Sequence, residues 1–267
     1  MTFFSIIIPT YNRSNEIVKA IDSVLNQDFK DFEIIVIDDF STDGTEELIR
    51  GLEIPNLVYI KNQRTKGASG ARNSGCAIAK GEWLAFLDSD DCWEKNKLSV
   101  LYETIKSDYY EIYYSAYYND DRVSIIHGFC GNHLQELYFK NVVRGFSLFV
   151  LKKDLFWSVG GLDESFKSKQ DLDLYIRLAK NYEFGFIRTP LIFFGVYSIN
   201  RISDNKEKRL SGWLDFYEKY SFEMPIKAKV YHSKCILTAA SNLYKIPIML
   251  RFLFIYSNNV LKMKSFV

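Results

Sequence analysis

Residues 83–91 read Trp83-Leu84-Ala85-Phe86-Leu87-Asp88-Ser89-Asp90-Asp91, five apolar residues that end abruptly in acid. An unbroken apolar run of that length is the pattern of a strand covered on both faces. Toward the N-terminus the pattern recurs. Phe3–Pro9 is almost continuously apolar, Phe32–Ile37 runs into Asp38-Asp39, and Leu57–Ile60 gives a third run. Helical stretches separate them. Ile17, Ile21, Val24 and Leu25 recur at helical spacing, Asp43 and Glu46 resemble a capping box ahead of Leu48, Ile49 and Leu52, and Ala71–Ala79 follows a Gly-rich loop. Strands starting near 3, 32, 57 and 83 predict right-handed βαβ units. The fold class is α/β, a Rossmann-like, mostly parallel sheet flanked by helices.

Open sheets of this kind bind ligands beyond the carboxyl ends of their strands. Asp38-Asp39 and Asp88-Ser89-Asp90-Asp91 stand at two such ends, so five carboxylates are expected in one crevice. Like charges 4 Å apart repel by about 4 kcal/mol at an effective dielectric near 20. Such a crevice calls for a cation or for donors from a ligand. Asp88 and Asp90 form a DxD triplet suited to a hard divalent cation, and an EF-hand is excluded because its sixth position is Trp93. A bare triplet fits a solvated turn as well; its place at a strand end favours a ligand.

Three further segments carry candidate chemistry. Pro9-Thr10-Tyr11-Asn12-Arg13 ends the first strand, with Asn12 or Ser14 as a cap for the next helix and Pro9 and Tyr11 as a wall for a base or ribose. Gly67 to Gly75 combines small residues with Arg72 at a helix N-terminus, which suits a phosphate. In Gln170 to Arg177, Asp171 reads as an ordinary helix-start carboxylate and Asp173 with Arg177 as an i, i+4 pair. No GxGxxG or Walker motif is present, which argues against nicotinamide and P-loop chemistry.

Beyond Tyr109 the pattern loosens. Tyr109–Tyr118 and Ser147–Leu151 are strand-like, a Gly160-Gly161 turn precedes a helix over Asp171–Lys180, and Phe184–Ile187 and Ile192–Tyr197 are strand candidates. The remainder is helical. This divides the chain into a catalytic-size domain, 1–203, and a helical C-terminal extension, 204–267.

Taken in order, these segments resemble family 2 of the inverting glycosyltransferases, which has the GT-A fold. The resemblance runs from Phe4 to Ser203 and includes Gly160-Gly161-Leu162-Asp163-Glu164-Ser165-Phe166. It implies transfer of a sugar from a nucleotide-sugar, a UDP-sugar above all, to a saccharide acceptor in surface-polysaccharide or lipid-linked oligosaccharide assembly. Donor-binding positions are then Pro9, Thr10, Tyr11, Arg13, Asp38, Asp39, Gly67, Arg72, Asp88 and Ser89, with Asp39 preferred over Asp38 at the uracil. Mg²⁺ or Mn²⁺ belongs on Asp90, with Asp88 as the second position. Asp171 becomes the general base, and Gly161, Asp163, Glu164 and Gln170 face the acceptor. Three positions depart from the family pattern: Gln170 for a common Glu, Thr65 for an Asn before the Gly67 loop, and Tyr197 for a histidine. Two other classes remain. A sugar-nucleotide nucleotidyltransferase would want a Gly-rich, basic loop where Thr10-Tyr11-Asn12-Arg13 stands; a non-catalytic carbohydrate-binding relative would tolerate the departures.

Composition bounds the setting. The 267 residues carry 34 Lys+Arg against 33 Asp+Glu, which argues against nucleic acid as a partner. The near-balance conceals a segregation: from Pro225 onward there are seven basic residues and no acid, so the preceding 224 residues are net −6. Four scattered cysteines predict reduced, buried thiols. The N-terminus lacks signal-peptide features, and the Ile246–Tyr256 run is too short and interrupted to span a membrane. The expectation is a cytoplasmic protein whose basic, apolar end suits the anionic inner leaflet.

Overall fold

The computed structural model describes residues 2–119, 121, 123–193 and 205–264. Strands β1 (Phe4–Thr10), β2 (Phe32–Asp38), β3 (Leu57–Lys61) and β4 (Trp83–Phe86) alternate with helices α1 (Ile17–Leu25), α2 (Thr45–Arg50) and α3 (Ala68–Ile78), as their apolar runs require. The four strands pair in parallel in the order β3-β2-β1-β4. Thr10 lies opposite Asp38, and Leu87 N donates to Ile7 O at 3.0 Å. The loops after β1, β2 and β4 therefore leave the sheet on one side and at one level.

The chain then adds β5 (Cys92–Trp93), α4 (Lys97–Ser107), β6 (Ile112–Tyr118), β7 (Ser124–Ile125), α5 (Leu134–Leu137), a 3₁₀ turn at Phe146–Leu148, β8 (Phe149–Lys152), α6 (Lys153–Ser158), α7 (Gln170–Ala179) and β9 (Gly185–Phe193). β8 runs antiparallel between β4 and β6, whereas β9 is parallel to β6, so the parallel half of the sheet continues into a mixed half. Period-two alternation divides two cores. Ile7, Ile35, Ile37, Leu84 and Phe86 point to one face, with α3 and α7; Ile6, Ile8, Ile34, Val36 and Ala85 point to the other, with α1 and α4. Gly75 lets α3 lie directly on the sheet, since a Cβ there would stand 2.4 Å from Ile37 Cδ1.

Three helices end the chain: α8 (Lys206–Tyr220), α9 (Ile226–Ser241) and α10 (Ile246–Lys264). Phe216, Tyr220, Met224 and Ala228 join the first core, while Leu210, Tyr217, Ile236, Ala240 and Phe252 make a smaller one among the helices themselves. No described helix is long and apolar enough to cross a membrane.

Several local expectations are revised. Asp43 is not an N-cap; Gly44 occupies that position, and Glu46 pairs with Lys61 and Arg50 instead of closing a capping box. Neither Asn12 nor Ser14 caps α1. Within the described residues the two C-terminal strand candidates begin as one strand, β9, with register shifts near Ala116 of its partner; Tyr197 lies outside the described residues. Of the four free cysteines only Cys76 is buried, and Cys130 is exposed.

Helix α4 escaped the pattern because its inward face includes a lysine. Lys97 is wholly buried, its Nζ has no hydrogen-bond partner and lies 5.0 Å from the Trp93 ring, and burial lowers its pKa to about 7. Below about 10.5 the unfolded chain holds this proton, whereas the native lysine resists it down to about 7. Its penalty is thus relieved as pH rises through that interval. Lys97→Met should raise stability by about 2 kcal/mol at pH 7, and urea unfolding at pH 7 and pH 10 should show the gain shrinking at the higher pH.

Candidate active site

The loops beyond β1, β2 and β4 open on a cleft of about 970 Å³. The first two loops are stitched together by side chains. Asn12 N donates to Ser41 Oγ at 2.9 Å, Thr42 N to Asn12 Oδ1 at 2.8 Å and Ser14 N to Asp43 Oδ2 at 3.0 Å. This fixes Tyr11 and Phe40, both exposed, on either side of Lys66, whose Nζ lies 4.9 Å and 5.8 Å from their rings. The two adjacent aspartates part company. Asp39 lines the cleft, its Oδ1 accepting from Asn62 Nδ2 at 2.7 Å and from Gly67 N at 3.0 Å. Asp38 is not part of the cleft lining; it accepts from Ser41 N, Ser41 Oγ and Tyr59 Oη and holds the turn.

At the end of β4 each acid of the triplet meets an arginine. Arg72 Nη2 pairs with Asp88 Oδ1, and its guanidinium lies over the Phe146 ring at 4.1 Å. Arg13 Nη2 is 3.8 Å from Asp90 Oδ2. Asp91 is buried and accepts from Ser147 Oγ at 2.5 Å, and Ser147 Oγ in turn accepts from Asp88 N at 2.9 Å. The crevice is therefore far less repulsive than five bare carboxylates. Among the described residues no three acids, histidines or cysteines form a closed metal cage. Asp88 and Asp90 on the cleft wall fit a hard cation that takes its other oxygens from water and phosphate.

Across the cleft stands Asp171, in the first turn of α7. Burial raises its pKa above the usual carboxylate range, despite the opposing effects of its backbone hydrogen bond and of Lys169 and Arg72. Asn141 Nδ2 donates to its Oδ2 at 2.5 Å, and the same amide's Oδ1 accepts from Arg144 N at 2.9 Å. Lys169, the N-cap of α7, has a left-handed backbone (φ 64°) and sets its Nζ 3.3 Å from the Trp213 ring centroid. Burial lowers the Lys169 pKa to about 8, against the pull of Asp171 and with the push of Arg209. Asp173 makes the expected i, i+4 pair with Arg177, but away from the surface. It is fully buried and receives Arg177, Lys219 Nζ (2.7 Å) and Tyr220 Oη (2.6 Å), which fastens α7 to α8.

Of the residues singled out from the sequence, Pro9, Thr10, Tyr11, Arg13, Asp39, Gly67, Arg72, Asp88, Ser89, Asp90, Gln170 and Asp171 line this one cleft. Asp38, Gly161, Asp163 and Glu164 do not. Glu164 accepts from Asn73 Nδ2 (2.8 Å) and Thr65 N (3.1 Å), and Asp163 from Lys219 Nζ (2.7 Å). Asn73 also exchanges two 2.9 Å hydrogen bonds with the Leu162 backbone. Gly161 has φ 67°, and a Cβ there would come within 3.0 Å of Asn73 Oδ1. This segment braces the outer side of the Gly67 loop. Asn62, Asn141, Arg144, Lys169, Lys208, Arg209 and Trp213 went unnoticed in the sequence because nothing in their local pattern distinguishes them. The amide that holds Asp39 is that of Asn62, just past β3, which also accepts from Arg64 N and Ser74 Oγ.

Comparison with known proteins gives consistent findings. The family model described as glycosyl transferase family 2 matches residues 5–160. WfaP of Escherichia coli, a UDP-Glc:alpha-D-GlcNAc-diphosphoundecaprenol beta-1,3-glucosyltransferase, is 42% identical over 118 residues, 44% of this chain and 47% of its own. The match thus spans about half the length of that relative. WfgD, an E. coli protein with the same description, is 30% identical over 232 residues, 85% of this chain and 89% of its own. Among solved structures, S. aureus TarS 1-349 in complex with UDP-GlcNAc superposes with a TM-score of 0.71 at 18% identity, over 97% of this chain and 79% of that one. The mannosyltransferase PcManGT from Pyrobaculum calidifontis, in complex with GDP-Man and Mn²⁺, gives 0.66 at 18% identity over 98% and 78%. These likenesses show the fold, which is GT-A.

The bracing role of Asn73 is testable. Asn73→Ala leaves the Leu162 N–H and C=O without partners and should cost about 2 kcal/mol in urea unfolding; an unchanged midpoint would remove that role.

Proposed function

The chain belongs to glycosyl transferase family 2, and we propose that it is an inverting, metal-assisted transferase that moves a sugar from a UDP-sugar to a hydroxyl of a lipid-linked saccharide. The observation that carries this reading is the pairing, across one cleft, of the Asp88–Asp90 wall with Asp171. The relatives named above use UDP-Glc and a GlcNAc carried on diphosphoundecaprenol, and their chemistry matches what the cleft offers.

On this reading Tyr11 flanks the base and Asp39, held by Asn62, accepts from the uracil ring. Gly67, free of a Cβ at φ 134°, lets the donor approach the α3 N-terminus. Asp88 and Asp90 would hold Mg²⁺ or Mn²⁺, which neutralises charge on the departing diphosphate. Arg13 and Arg72, already beside these carboxylates, add positive charge at the same place. Asp171 takes the acceptor proton. Its raised pKa brings its basicity closer to neutral pH, where a general base is most effective, and Asn141 keeps its carboxylate aimed. A single displacement from the opposite face inverts the anomeric centre.

The second part of the proposal concerns the C-terminal end. On α10, Ile246, Leu250, Leu253, Phe254 and Leu261 recur along one stripe and are 54–70% exposed, while Phe252 and Asn259 pack inward beside Tyr217. From Pro225 onward no acid interrupts the basic residues, although Lys245 and Arg251 reach Glu207 and Glu218 of α8. An apolar stripe in basic surroundings suits an anionic leaflet, where about 1 kcal/mol accrues per basic residue.

Asp171→Asn should lower the transfer rate 10²–10⁴-fold with UDP affinity retained, and Asp90→Asn should weaken Mn²⁺ binding to the UDP complex, read by titration of the metal alone. Full transfer by the first variant, or native Mn²⁺ affinity in the second, would remove the corresponding role. For the membrane contact, the protein should co-sediment with anionic and not neutral vesicles, and Leu250→Glu/Phe254→Glu should abolish pelleting; equal pelleting of that variant overturns the assignment to α10.

A further inference from the structure

The acceptor end of the cleft holds four cations that the chemistry above leaves unused. Arg144, Lys169, Lys208 and Arg209 all line it together with Asp171; Asn141 joins Arg144 N to the Asp171 carboxylate, and Ser168 joins Lys208 to the loop that leads into Asp171. They come from three separate elements: the loop before the 3₁₀ turn, the N-cap of α7 and the first turn of α8. Among the described residues none of the four makes an ion pair, whereas Arg13 and Arg72 on the donor side each face a carboxylate. Lys169 feels the Asp171 carboxylate and is repelled by Arg209, and a group of cations left without ion pairs argues for an anion that visits.

The grouping is built into the backbone. Arg144 and Lys169 are non-glycine residues at positive φ, 78° and 64°. Such conformations cost on the order of 1 kcal/mol or more and persist where surrounding structure demands them. Asn141 supplies that demand for Arg144, accepting from its N–H while the same amide grips Asp171. Gly212 supplies it for the α8 pair: any Cβ there would lie 1.9 Å from Ser168 Oγ, and Ser168 Oγ donates to Lys208 O at 3.0 Å. The absence of a side chain at Gly212 thus seats Lys208 and Arg209 against the loop that carries Lys169 and leads into Asp171.

We propose that Arg144, Lys169, Lys208 and Arg209 form a binding site for the diphosphate of the acceptor, distinct from the donor-diphosphate site at Asp88, Asp90 and Arg72. The assignment rests on the transferase reading and deepens it. An acceptor sugar presenting its hydroxyl to Asp171 carries its anomeric diphosphate elsewhere on the same ring, within the cleft that the four cations line. Guanidinium and ammonium groups on three elements can grip several phosphate oxygens together, giving strength and orientation that a neutral glycoside would not receive.

The test is a binding measurement with the donor site filled by saturating UDP and Mn²⁺. Two probes are compared: GlcNAc α-diphosphate bearing a short alkyl chain, and the alkyl α-glycoside of GlcNAc without phosphates. The wild type should bind the diphosphate probe at least tenfold more tightly, with affinity falling as salt rises. Lys208→Ala/Arg209→Ala and Arg144→Gln should each shrink that ratio while UDP affinity is retained. A ratio unchanged in the variants, no preference in the wild type, or a loss of UDP affinity in place of the ratio would overturn the site, the last placing these cations at the donor. Failure of the transferase reading looks different: the diphosphate probe binds with the expected ratio, yet no UDP-sugar is turned over with it.

Discussion

The contact on which the rest of the cleft depends is the half-buried one between the Arg72 guanidinium and the Asp88 carboxylate, backed by the Phe146 ring. A sheet that delivers acids to the ends of two neighbouring strands creates a repulsion that grows as water is excluded. The fold disperses it. Asp38 is turned into a hydroxyl-lined pocket, Asp91 is buried against Ser147, and Asp88 and Asp90 each face an arginine. What remains is a wall on which Asp88 and Asp90 each have an arginine as counter-charge.

Three asparagine side chains do the positioning, and the reason is chemical. A primary amide offers donors and acceptors on one short, uncharged group, so it can join a carboxylate to a backbone without adding to the charge problem. Asn62 ties Asp39 to Arg64 N and Ser74; Asn73 ties α3 to Leu162 and Glu164; Asn141 ties Asp171 to Arg144 N. Asp39, the Leu162–Glu164 segment and Asp171 are held by the same device. The buried Asp173 cluster does comparable work with charge, joining α7 to α8 through Arg177, Lys219 and Tyr220.

Helix α8 thereby becomes part of the site. Its inner face completes the first core through Phe216 and Tyr220, while its first turn supplies Lys208 and Arg209 and its middle supplies Trp213 to the cleft. The same helix receives Tyr217–Phe252 and Glu218–Arg251 contacts from α10. The helix that lends Lys208, Arg209 and Trp213 to the cleft is in this way coupled to the helix with the exposed apolar stripe.

The sequence by itself determined the βαβ half of the fold, because doubly covered parallel strands must be continuously apolar and their ends must carry polar residues. It also determined one wall of the cleft, since Pro9, Thr10, Tyr11, Arg13, Asp39, Gly67, Arg72 and Asp88 to Asp90 each sit at a strand end or helix start that topology brings to one level. Asp171 was visible as a position, but its own pattern read as a cap. Only the tertiary structure decided which aspartate of a pair faces inward, that Gly160 to Glu164 braces a loop instead of lining the cleft, and that Lys97 is buried. It alone assembled Asn141, Arg144, Lys169, Lys208 and Arg209 around Asp171. The physical reason is range: periodicity and capping are written in neighbours a few residues apart, whereas a site at the meeting of three elements depends on packing that no local pattern records.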